Sequence, residues 1–355
     1  MLKPKVRAVA FYLPQYHPVK ANDEFWGKGF TEWTNVTKAR PLFKAHVQPK
    51  LPADLGFYDL RVPEVREQQA DLARSYGIEA FCYWHYWFGN GERALEKVFD
   101  EVLKSGKPDF PFCLAWANES WTGKWHGLNN QVIFKQTYPG LKDFENHFYT
   151  VLPAFKDPRY LKVNKRPVFH IYRPFNLPDV KQFVGLWQKL AQKEGIDGIY
   201  FTGHFGDKNP TDYGCRGTMD STIVNPQWTY KPSFYTRFMR SVGRQKNDLP
   251  TLTDYKLFVK EKISYPYKPY DIPMVIPNWD NTPRSGQRGV VFMNENVQDY
   301  YLWLKDAVEK VSVREEQERL LFIKSWNEWA EGNYIEPDQV NGLAYLEATR
   351  KALMI

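Results

Sequence analysis

Cysteine is scarce in this sequence, and long apolar runs are missing. The three cysteines, Cys82, Cys113 and Cys215, are an odd number without CxxC spacing, which argues against a disulfide framework or a zinc site. No stretch of about 18 apolar residues occurs, so the sequence predicts no membrane-spanning helix. The first strand-like run begins at residue 6 and leaves no room before it for a secretory leader. We therefore expect a cytoplasmic protein, unless a leader has been removed.

Two signatures of nucleotide binding are absent as well. No GxGxxG turn follows the first strand-like run, which disfavours a doubly wound dinucleotide-binding sheet. No DxD motif occurs, although a glycosyltransferase normally needs such a motif or a basic Rossmann rim for its nucleotide diphosphate. Both absences count against a protein that uses a nucleotide.

Basic residues exceed acidic ones, 48 to 41, for a formal net charge of +7. They are scattered along the chain, and the segments KVNKR and RSVGRQK are the densest. One interpretation is an ordinary solvated surface. The other is attraction to an anionic glycan, a lipid-linked sugar phosphate or a membrane surface. Because aromatic residues do not alternate with these basic segments, we expect no nucleic-acid partner.

Aromatic residues are abundant, at 17% of the chain, with 13 Trp and 22 Tyr. Many stand among polar residues, as in YWHYWF (83–88) and WANESWTGKWHG (116–127). Core packing alone favours Leu, Ile and Val, whereas Trp and Tyr combine a flat face with a polar atom. Since sugar rings stack their C–H faces on such surfaces, the composition predicts a carbohydrate partner.

Short β-rich apolar runs alternate with longer amphipathic segments, the pattern of βα units with a parallel sheet. The predicted strands cover residues 6–13, 78–84, 111–117, 167–172, 198–203, 218–224, 272–278 and 320–326. Eight strands, most followed by a helix, predict a single α/β domain over residues 1–355, a (β/α)8 TIM barrel. An open doubly wound sheet is the alternative. Two long loops, 14–61 and 225–250, would extend the catalytic face of the barrel.

In such a barrel, catalytic groups collect where strands end and loops begin. Trp, Tyr, His, Asn and carboxylate side chains do follow the predicted strands, whereas the helix-to-strand junctions are plain. Amides and carboxylates bind neighbouring sugar hydroxyls, and indoles cover ring faces. The candidate substrate-binding residues are Tyr12, Tyr16, His17, Trp84, His85, Asn118, Glu119, Trp121, Tyr172, Asn278, Trp279, Asp280 and Asn327.

Some of these candidates have an ordinary structural alternative. His85 by itself fits a hydrogen-bonded core histidine. Asp280 fits a turn that caps itself. Glu119 can simply pair with Lys124 or Arg173.

Several quoted segments resemble known families. SWNEWAEGNYIEP (325–337) resembles the motif that ends the barrel of glycoside hydrolase family 99, the endo-acting α-mannosidases and mannanases. IPNWDNTPR (276–284) resembles that family's Gly-Tyr-Asp-Asp-Thr segment, with Asn278 and Trp279 in place of Gly-Tyr. AFYLPQYH (10–17), FWGKGFTEWTNV (25–36), YWHYWF and LAWANESW (114–121) resemble the WbsX family over nearly the whole chain. That family is described as glycosyltransferase-like proteins of polysaccharide and O-antigen gene clusters, with a domain akin to family 99.

The resemblance implies a (β/α)8 fold, no metal cofactor, and Glu328 and Glu331 as catalytic carboxylates. Glu328 would assist the sugar's own 2-hydroxyl in attacking C1, and Glu331 would protonate the leaving oxygen and then activate water, with net retention. Residues three apart on a helical turn lie roughly 5–6 Å apart at Cβ, which suits the 5–5.5 Å or so between the carboxyls of retaining glycosidases. The alternative for this pair is a charged first helical turn. The changes at Asn278 and Trp279 leave the sugar open.

Three functions stay open on the sequence. The first is a retaining hydrolase acting on an α-linked, mannoside-like glycan with a free 2-hydroxyl. The second is a glycosyltransferase or transglycosylase in O-antigen or capsule synthesis. The third is a barrel that binds glycans without catalysis. The sequence does not determine the oligomeric state.

Overall fold

The structure is a computed structural model that describes residues 4–122, 132–230 and 249–354. Its central sheet contains eight parallel strands, each buried in the core. In chain order these are β1 (Arg7–Tyr12), β2 (Ala80–Gly89), β3 (Phe112–Trp116), β4 (Arg166–Ile171), β5 (Tyr200–Gly203), β6 (Gly217–Thr218), β7 (Met274–Val275) and β8 (Leu320–Ile323). Every strand lies within one of the predicted runs or overlaps it.

The strands follow one another around a ring in chain order, and β1 pairs with β8 in parallel, Ala10 opposite Ile323. The short strands β6 and β7 meet through a parallel bridge between Thr218 and Asp271. There the Ile272 N–H donates to the Thr218 carbonyl over 2.8 Å. The predicted (β/α)8 fold is confirmed, and β6 is two residues long instead of the seven expected.

Most helices cover the outside of the ring, and three short ones, Lys20–Trp26, Glu32–Lys38 and Thr282–Ser285, lie on the catalytic face. The described helices are Lys20–Trp26, Glu32–Lys38, Pro63–Ser75, Glu96–Ser105, Leu141–Lys156, Val180–Lys193, Tyr255–Ser264, Thr282–Ser285, Val297–Ser312 and Ala344–Leu353. Val180–Lys193 shows why such segments are helical: the Asp179 side chain caps its first turn, accepting from the Gln182 N–H over 3.0 Å. Phe183 and Trp187, four residues apart, share the face that is buried against the barrel.

Most of the tryptophans pack the core. Ten of the 12 tryptophans in the described ranges are buried, among them Trp187, which lies 4.9 Å from the Phe169 ring between barrel and helix. Packing explains most of the aromatic excess, so composition alone was a weaker pointer to carbohydrate than we expected.

The long first loop lies on the catalytic face, because it follows the carboxyl end of β1. It folds into the helices Lys20–Trp26 and Glu32–Lys38. Of the second predicted loop, residues 231–248 fall outside the described part of the chain. Within the part that is described, no helix is long and apolar enough to cross a bilayer.

Candidate active site

The chain turns sharply after β8. Asn327–Glu328 pairs with Asn333–Tyr334 as a two-residue antiparallel ladder, and a 3-10 turn, Trp329–Glu331, lies between them. Gly332 ends that turn at a φ of 54°, in the left-handed region that favours glycine. The Asp280 N–H donates to the Glu331 carbonyl over 2.7 Å, which ties the turn to the segment after β7. The turn thus presents Glu328 and Glu331 on the catalytic face.

One arginine joins three carboxylates at this turn. The Arg284 guanidinium donates from Nη1 to Glu331 Oε1 over 2.7 Å and from Nη2 to Glu328 Oε2 over 3.1 Å. Its Nε donates to Glu32 Oε2 over 2.9 Å. The side chains are mostly buried, with 13% of Arg284, 7% of Glu328 and 16% of Glu331 exposed. A single planar group therefore fixes the spacing and orientation of the two glutamates that the sequence singles out.

Burial sets the electrostatics of this cluster. Burial and then the charge of Glu331 raise the pKa of Glu328 to about 7, against the opposing effect of Arg284. Burial also raises the pKa of Glu32. Burial alone would lower the pKa of Arg284, but the three carboxylates hold it well above its ordinary value. The cluster thus combines a permanent cation with a carboxyl group that titrates near neutral pH.

Another buried carboxylate, Glu336, supports the turn through hydrogen bonds. It accepts hydrogen bonds from the Trp329 indole over 2.6 Å, from Gln69 Nε2 over 2.6 Å and from the Tyr58 hydroxyl over 2.8 Å. Burial raises its pKa to about 7, although these donors act in the other direction. Tyr12, a predicted substrate contact, is buried in this layer and donates its hydroxyl to Gln69 Oε1 over 2.7 Å.

Asn327 and Tyr16, also predicted contacts, are buried behind the turn. Asn327 Oδ1 accepts from the Leu13 N–H over 2.8 Å, and its Nδ2 donates to the Leu13 carbonyl over 3.1 Å. The Tyr16 hydroxyl donates to the Asn327 carbonyl and accepts from the Trp329 N–H. These two side chains fix the backbone that carries Glu328, and their polar groups are already paired.

Asp280 is 1% exposed and fully hydrogen bonded. Its Oδ2 accepts from His46 Nε2 over 2.7 Å and from Gln48 Nε2 over 2.6 Å, while Oδ1 accepts from the Thr282 hydroxyl over 2.6 Å. The Leu42 N–H donates to His46 Nδ1, so the proton of this imidazole lies on Nε2. Burial would raise the pKa of Asp280, but these donors and Lys50 lower it below its ordinary value. Asp280 anchors the first long loop.

Aromatic side chains lie across the mouth of the barrel. Trp84, 9% exposed, stacks on Phe11 at 4.9 Å and meets the edge of Tyr172 at 5.5 Å. Trp279 is 5% exposed, and the Lys324 ammonium lies 4.8 Å from its ring centroid. The structure brings these three predicted residues, Trp84, Tyr172 and Trp279, to the end of the barrel that carries the Glu pair.

Tyr86 links the predicted contact Trp121 to the carboxylate cluster. The half-buried Trp121 stacks on Tyr86 with ring centroids 5.6 Å apart. Burial, and then the negative charge of Glu328, raise the pKa of Tyr86, which places its hydroxyl within the field of the cluster. Trp121 thus stacks on a tyrosine that lies within the electrostatic field of Glu328.

A rim pocket of about 620 Å³ opens beside Arg284. It is lined by Glu119, Ser120, Thr122, Gln136, Tyr138, Asn176, Ser285 and Arg288. Glu119 accepts from Arg173 Nε over 2.9 Å, which is the structural alternative considered for it. Asn118 is buried, donating to the Arg173 carbonyl over 2.8 Å and accepting from its N–H over 2.7 Å. Asn118 therefore fixes the rim, while Glu119 lines the pocket.

The remaining predicted contacts lie elsewhere. His85 Nε2 faces His147 Nε2 at 2.8 Å behind β2, and burial lowers the pKa of His85 to about 3. His17 is 1% exposed, and burial lowers its pKa to about 4. Asn278 is buried and accepts from the Tyr334 N–H over 3.0 Å. None of these three side chains contacts Glu328 or Glu331 among the interactions of the described residues.

Sequence reasoning missed Arg284, Glu32 and Lys324. Each had a local signal: a lone charge within a segment that is otherwise apolar, aromatic or small and polar. Lys324 stands inside the run LLFIKSW, and Glu32 lies between Thr31 and Trp33. Glu32 and Arg284 meet although 252 positions separate them in the sequence, and no local pattern reveals such a contact. The described ranges hold no cluster of three His, Cys, Asp or Glu side chains arranged to bind a metal ion.

Solved structures of glycoside hydrolases share this fold. A structure described as a glycoside hydrolase-like protein superposes with a TM-score of 0.59 at 13% identity, covering 100% of this chain and 96% of that one. The GH99 endo-alpha-mannosidase from Bacteroides thetaiotaomicron, solved with BIS-TRIS-propane, gives 0.56 at 15% identity, with 98% and 96% covered. The chain thus shares the (β/α)8 fold of these structures.

Sequence similarity identifies the family. The profile of the family described as "Glycosyltransferase WbsX" matches residues 8–349, and the chain belongs to this family. Proteins of two strains of Xanthomonas campestris pv. campestris, each described as "Uncharacterized protein WxcX", are 38% identical over 351 residues, 97% of this chain. The chain spans about half the length of these relatives, 49%.

Proposed function

We propose that this protein is a retaining enzyme of glycosidic bonds, most simply a hydrolase, with Glu328 and Glu331 as its catalytic pair. The observation that carries the proposal is the Arg284 fork, whose Nη2 and Nη1 contact the two glutamates at 3.1 and 2.7 Å. Neighbouring nitrogens of one guanidinium hold the carboxylates side by side. This supports the separation of about 5–5.5 Å that retention needs rather than the wider gap of inverting enzymes.

The two glutamates take different roles. A general base works best when its pKa lies near the operating pH, and the pKa of Glu328, raised to about 7, meets that condition. Glu328 accepts the proton of the substrate's 2-hydroxyl as that oxygen attacks C1. Glu331 donates its proton to the leaving oxygen as the C1–O bond breaks. Glu331 then takes a proton from water, which opens the intermediate at C1, and Glu328 returns the proton to O2.

The proposed substrate is an α-linked, mannoside-like glycan with a free 2-hydroxyl. The endo-α-mannosidase among the structural neighbours supports this class. Trp279, Trp84, Trp121 and Tyr172 are the residues that we propose to shape the site around the sugar rings. A cytoplasmic location and contact with a lipid-linked glycan remain predictions from the sequence.

A glycosyl transfer is the second candidate, favoured by the family description. The same pair of glutamates performs it when a sugar hydroxyl, instead of water, opens the intermediate. Such a transglycosylase needs no nucleotide, which agrees with the missing DxD motif.

The test is turnover on a panel of bacterial and fungal polysaccharides, with products identified by mass spectrometry. We expect wild type to release shorter glycans or to build transfer products, and Glu328→Gln and Glu331→Gln to lose both. Glu145→Gln, an exposed carboxylate paired with Lys142 on an outer helix, is the matched control. Glycan binding by calorimetry without turnover by wild type would instead identify a non-catalytic glycan-binding barrel.

A further inference from the structure

The side chain of Lys324 is mostly buried, but its ammonium is not among the fully buried, unpaired atoms of the described residues and is open to a ligand. Lys324 directly follows β8 and is 8% exposed, and its ammonium forms no ion pair or hydrogen bond with any residue that the structure describes. Its contact is the Trp279 ring, with Nζ 4.8 Å from the centroid. A cation–π contact leaves the N–H donors of this ammonium free to bind an acceptor.

The ammonium lies centrally, at the mouth of the barrel. Burial is the main reason for the low pKa of His170 on β4 and of His204 after β5, and Lys324 lowers both further. Lys324 also acts against the upward shift in the pKa of Glu328. The charge of Lys324 therefore acts on titratable groups that lie on or after three different strands, and this indicates a position near the barrel axis.

A second donor next to Lys324 also has no acceptor. The indole Nε1 of Trp279 is buried and unpaired. The other cation of the site, Arg284, is already occupied by three carboxylates. The buried indole N–H and the neighbouring ammonium both lack an acceptor among the described residues, which together indicates an acceptor that arrives with the ligand.

We propose that Lys324 and the Trp279 indole form an anion subsite, and that the glycan carries a carboxylate or phosphate on the sugar bound against Trp279. This inference rests on the proposed function, because it places the group in the same site as the Glu pair. A lysine ammonium suits either anion as a point charge. The net charge of +7 favours the approach of an acidic glycan over that of a neutral one.

The test is binding, measured by ligand-observed NMR titration of wild type with D-glucuronate, glucose 1-phosphate and glucose. We expect at least one of the two anionic sugars to bind about tenfold or more tightly than glucose, as one added charge contact allows. Comparison of the two anions shows whether the subsite takes a carboxylate or a phosphate. Lys324→Met, which keeps the apolar stem, should remove this preference, and Lys324→Arg should retain part of it.

Lys351→Met is the matched control, because Lys351 also lies over an aromatic ring, 4.7 Å from the centroid of Tyr301, but is exposed. It should keep the wild-type preference. Thermal unfolding without ligand adds a second readout: Lys324→Met should unfold near the wild-type temperature, since the ammonium makes no ion pair or hydrogen bond with a described residue and its contact is the Trp279 ring. Equal binding of anionic and neutral sugars, or a preference that survives Lys324→Met, overturns the subsite.

The outcomes for subsite and function are separable. If anionic sugars bind better but Glu331→Gln leaves turnover unchanged, the proposed chemistry fails while the subsite stands. If Glu331→Gln abolishes turnover but neutral and anionic sugars bind alike, the subsite fails and the chemistry stands.

Discussion

At the scale of single residues, Arg284 is the cation that pairs with three carboxylates of the site. Its replacement by Gln leaves Glu32, Glu328 and Glu331 buried together without their cation. Removing one partner of a buried ion pair costs about 3–5 kcal/mol, so we expect a loss of that size in the free energy of unfolding at pH 8. Because the freed carboxylates can take up protons in the folded state, the loss should shrink as the pH falls toward 5.

Urea unfolding of Arg284→Gln at the two pH values measures this change. Arg61→Gln, which breaks an exposed pair with Asp59, is the control and should cost less than about 1 kcal/mol at either pH. An Arg284→Gln variant as stable as wild type at pH 8 would contradict the stabilising role of Arg284 among the three carboxylates.

Glu336 should make stability depend on pH in the direction opposite to that of an ordinary salt-bridged acid. Its pKa is raised in the folded protein from 4.5 to about 7, so the folded state binds more protons than the unfolded state between these values. Stability is therefore lost as the pH rises through this window, by up to roughly 3 kcal/mol for such a shift. Glu336→Gln should remove its share of that dependence and leave the share of Glu328, whose pKa is also raised to about 7. Urea unfolding between pH 4.5 and 8 measures the change in slope. The exposed Glu347→Gln should keep the wild-type slope, and an unchanged slope in Glu336→Gln would refute the assignment.

Sequence reasoning at the residue scale found Glu328 and Glu331 as the pair to examine, because their motif is local. It did not find that Tyr12 and Asn118 are buried with their polar atoms paired, whereas for His85 and Asp280 it had offered a hydrogen-bonded core histidine and a self-capping turn as alternatives. The position of a residue at a strand end indicates that it lies near the catalytic face. It does not indicate whether the side chain points to the ligand or to the next loop. That choice depends on partners such as Gln69 and His147, which lie far away along the chain.

At the scale of elements, the turn after β8 depends on close approach to the segment after β7. A Cβ added at Gly332 would lie 2.8 Å from the backbone nitrogen of Asp280, and the φ of Gly332 is 54°. Gly332→Ala should therefore displace Glu331. Overpacking should lower the free energy of unfolding by about 1–3 kcal/mol, in addition to the cost of the backbone strain. A shift of about 1 Å in a catalytic group can lower the rate about 100-fold.

Gly342→Ala is the matched control for Gly332→Ala. Gly342 has the same φ of 54°, but a Cβ there meets nothing within 4 Å. It should show the backbone strain alone, with turnover close to wild type. Equal stability and equal turnover of the two variants would show that the close approach does not position Glu331.

The elements themselves were largely predictable. Apolar runs between amphipathic helices located all eight strands, because a parallel sheet is buried on both faces and leaves a continuous apolar signal. The sixth strand was predicted at seven residues and has two, Gly217–Thr218, since its run also contains Asp220, Ser221 and Thr222, which suit a turn. The helices Lys20–Trp26 and Glu32–Lys38 were missed because a long loop gives no strong periodicity.

At the scale of the whole molecule, ring closure brings the two ends of the sequence together. Pairing of β1 with β8 sets Leu13 against Asn327, 314 positions away, and Glu32 against Arg284. The catalytic turn is therefore supported by the first loop of the chain, and the site exists only when the barrel is closed. Local sequence patterns predicted the barrel, but only closure reveals these contacts.

The rate dependence on the leaving group tests the central claim most directly. Aryl α-glycosides that match the glycan cleaved by wild type would be compared across leaving groups of rising acidity. An acidic leaving group needs no protonation, so Glu331→Gln should recover part of the lost rate on it, whereas on a poor leaving group it should lose about 10²–10⁴-fold. Glu328→Gln should be slow on both. If both variants cleave poor and good leaving groups at wild-type rates, Glu328 and Glu331 are not the catalytic pair.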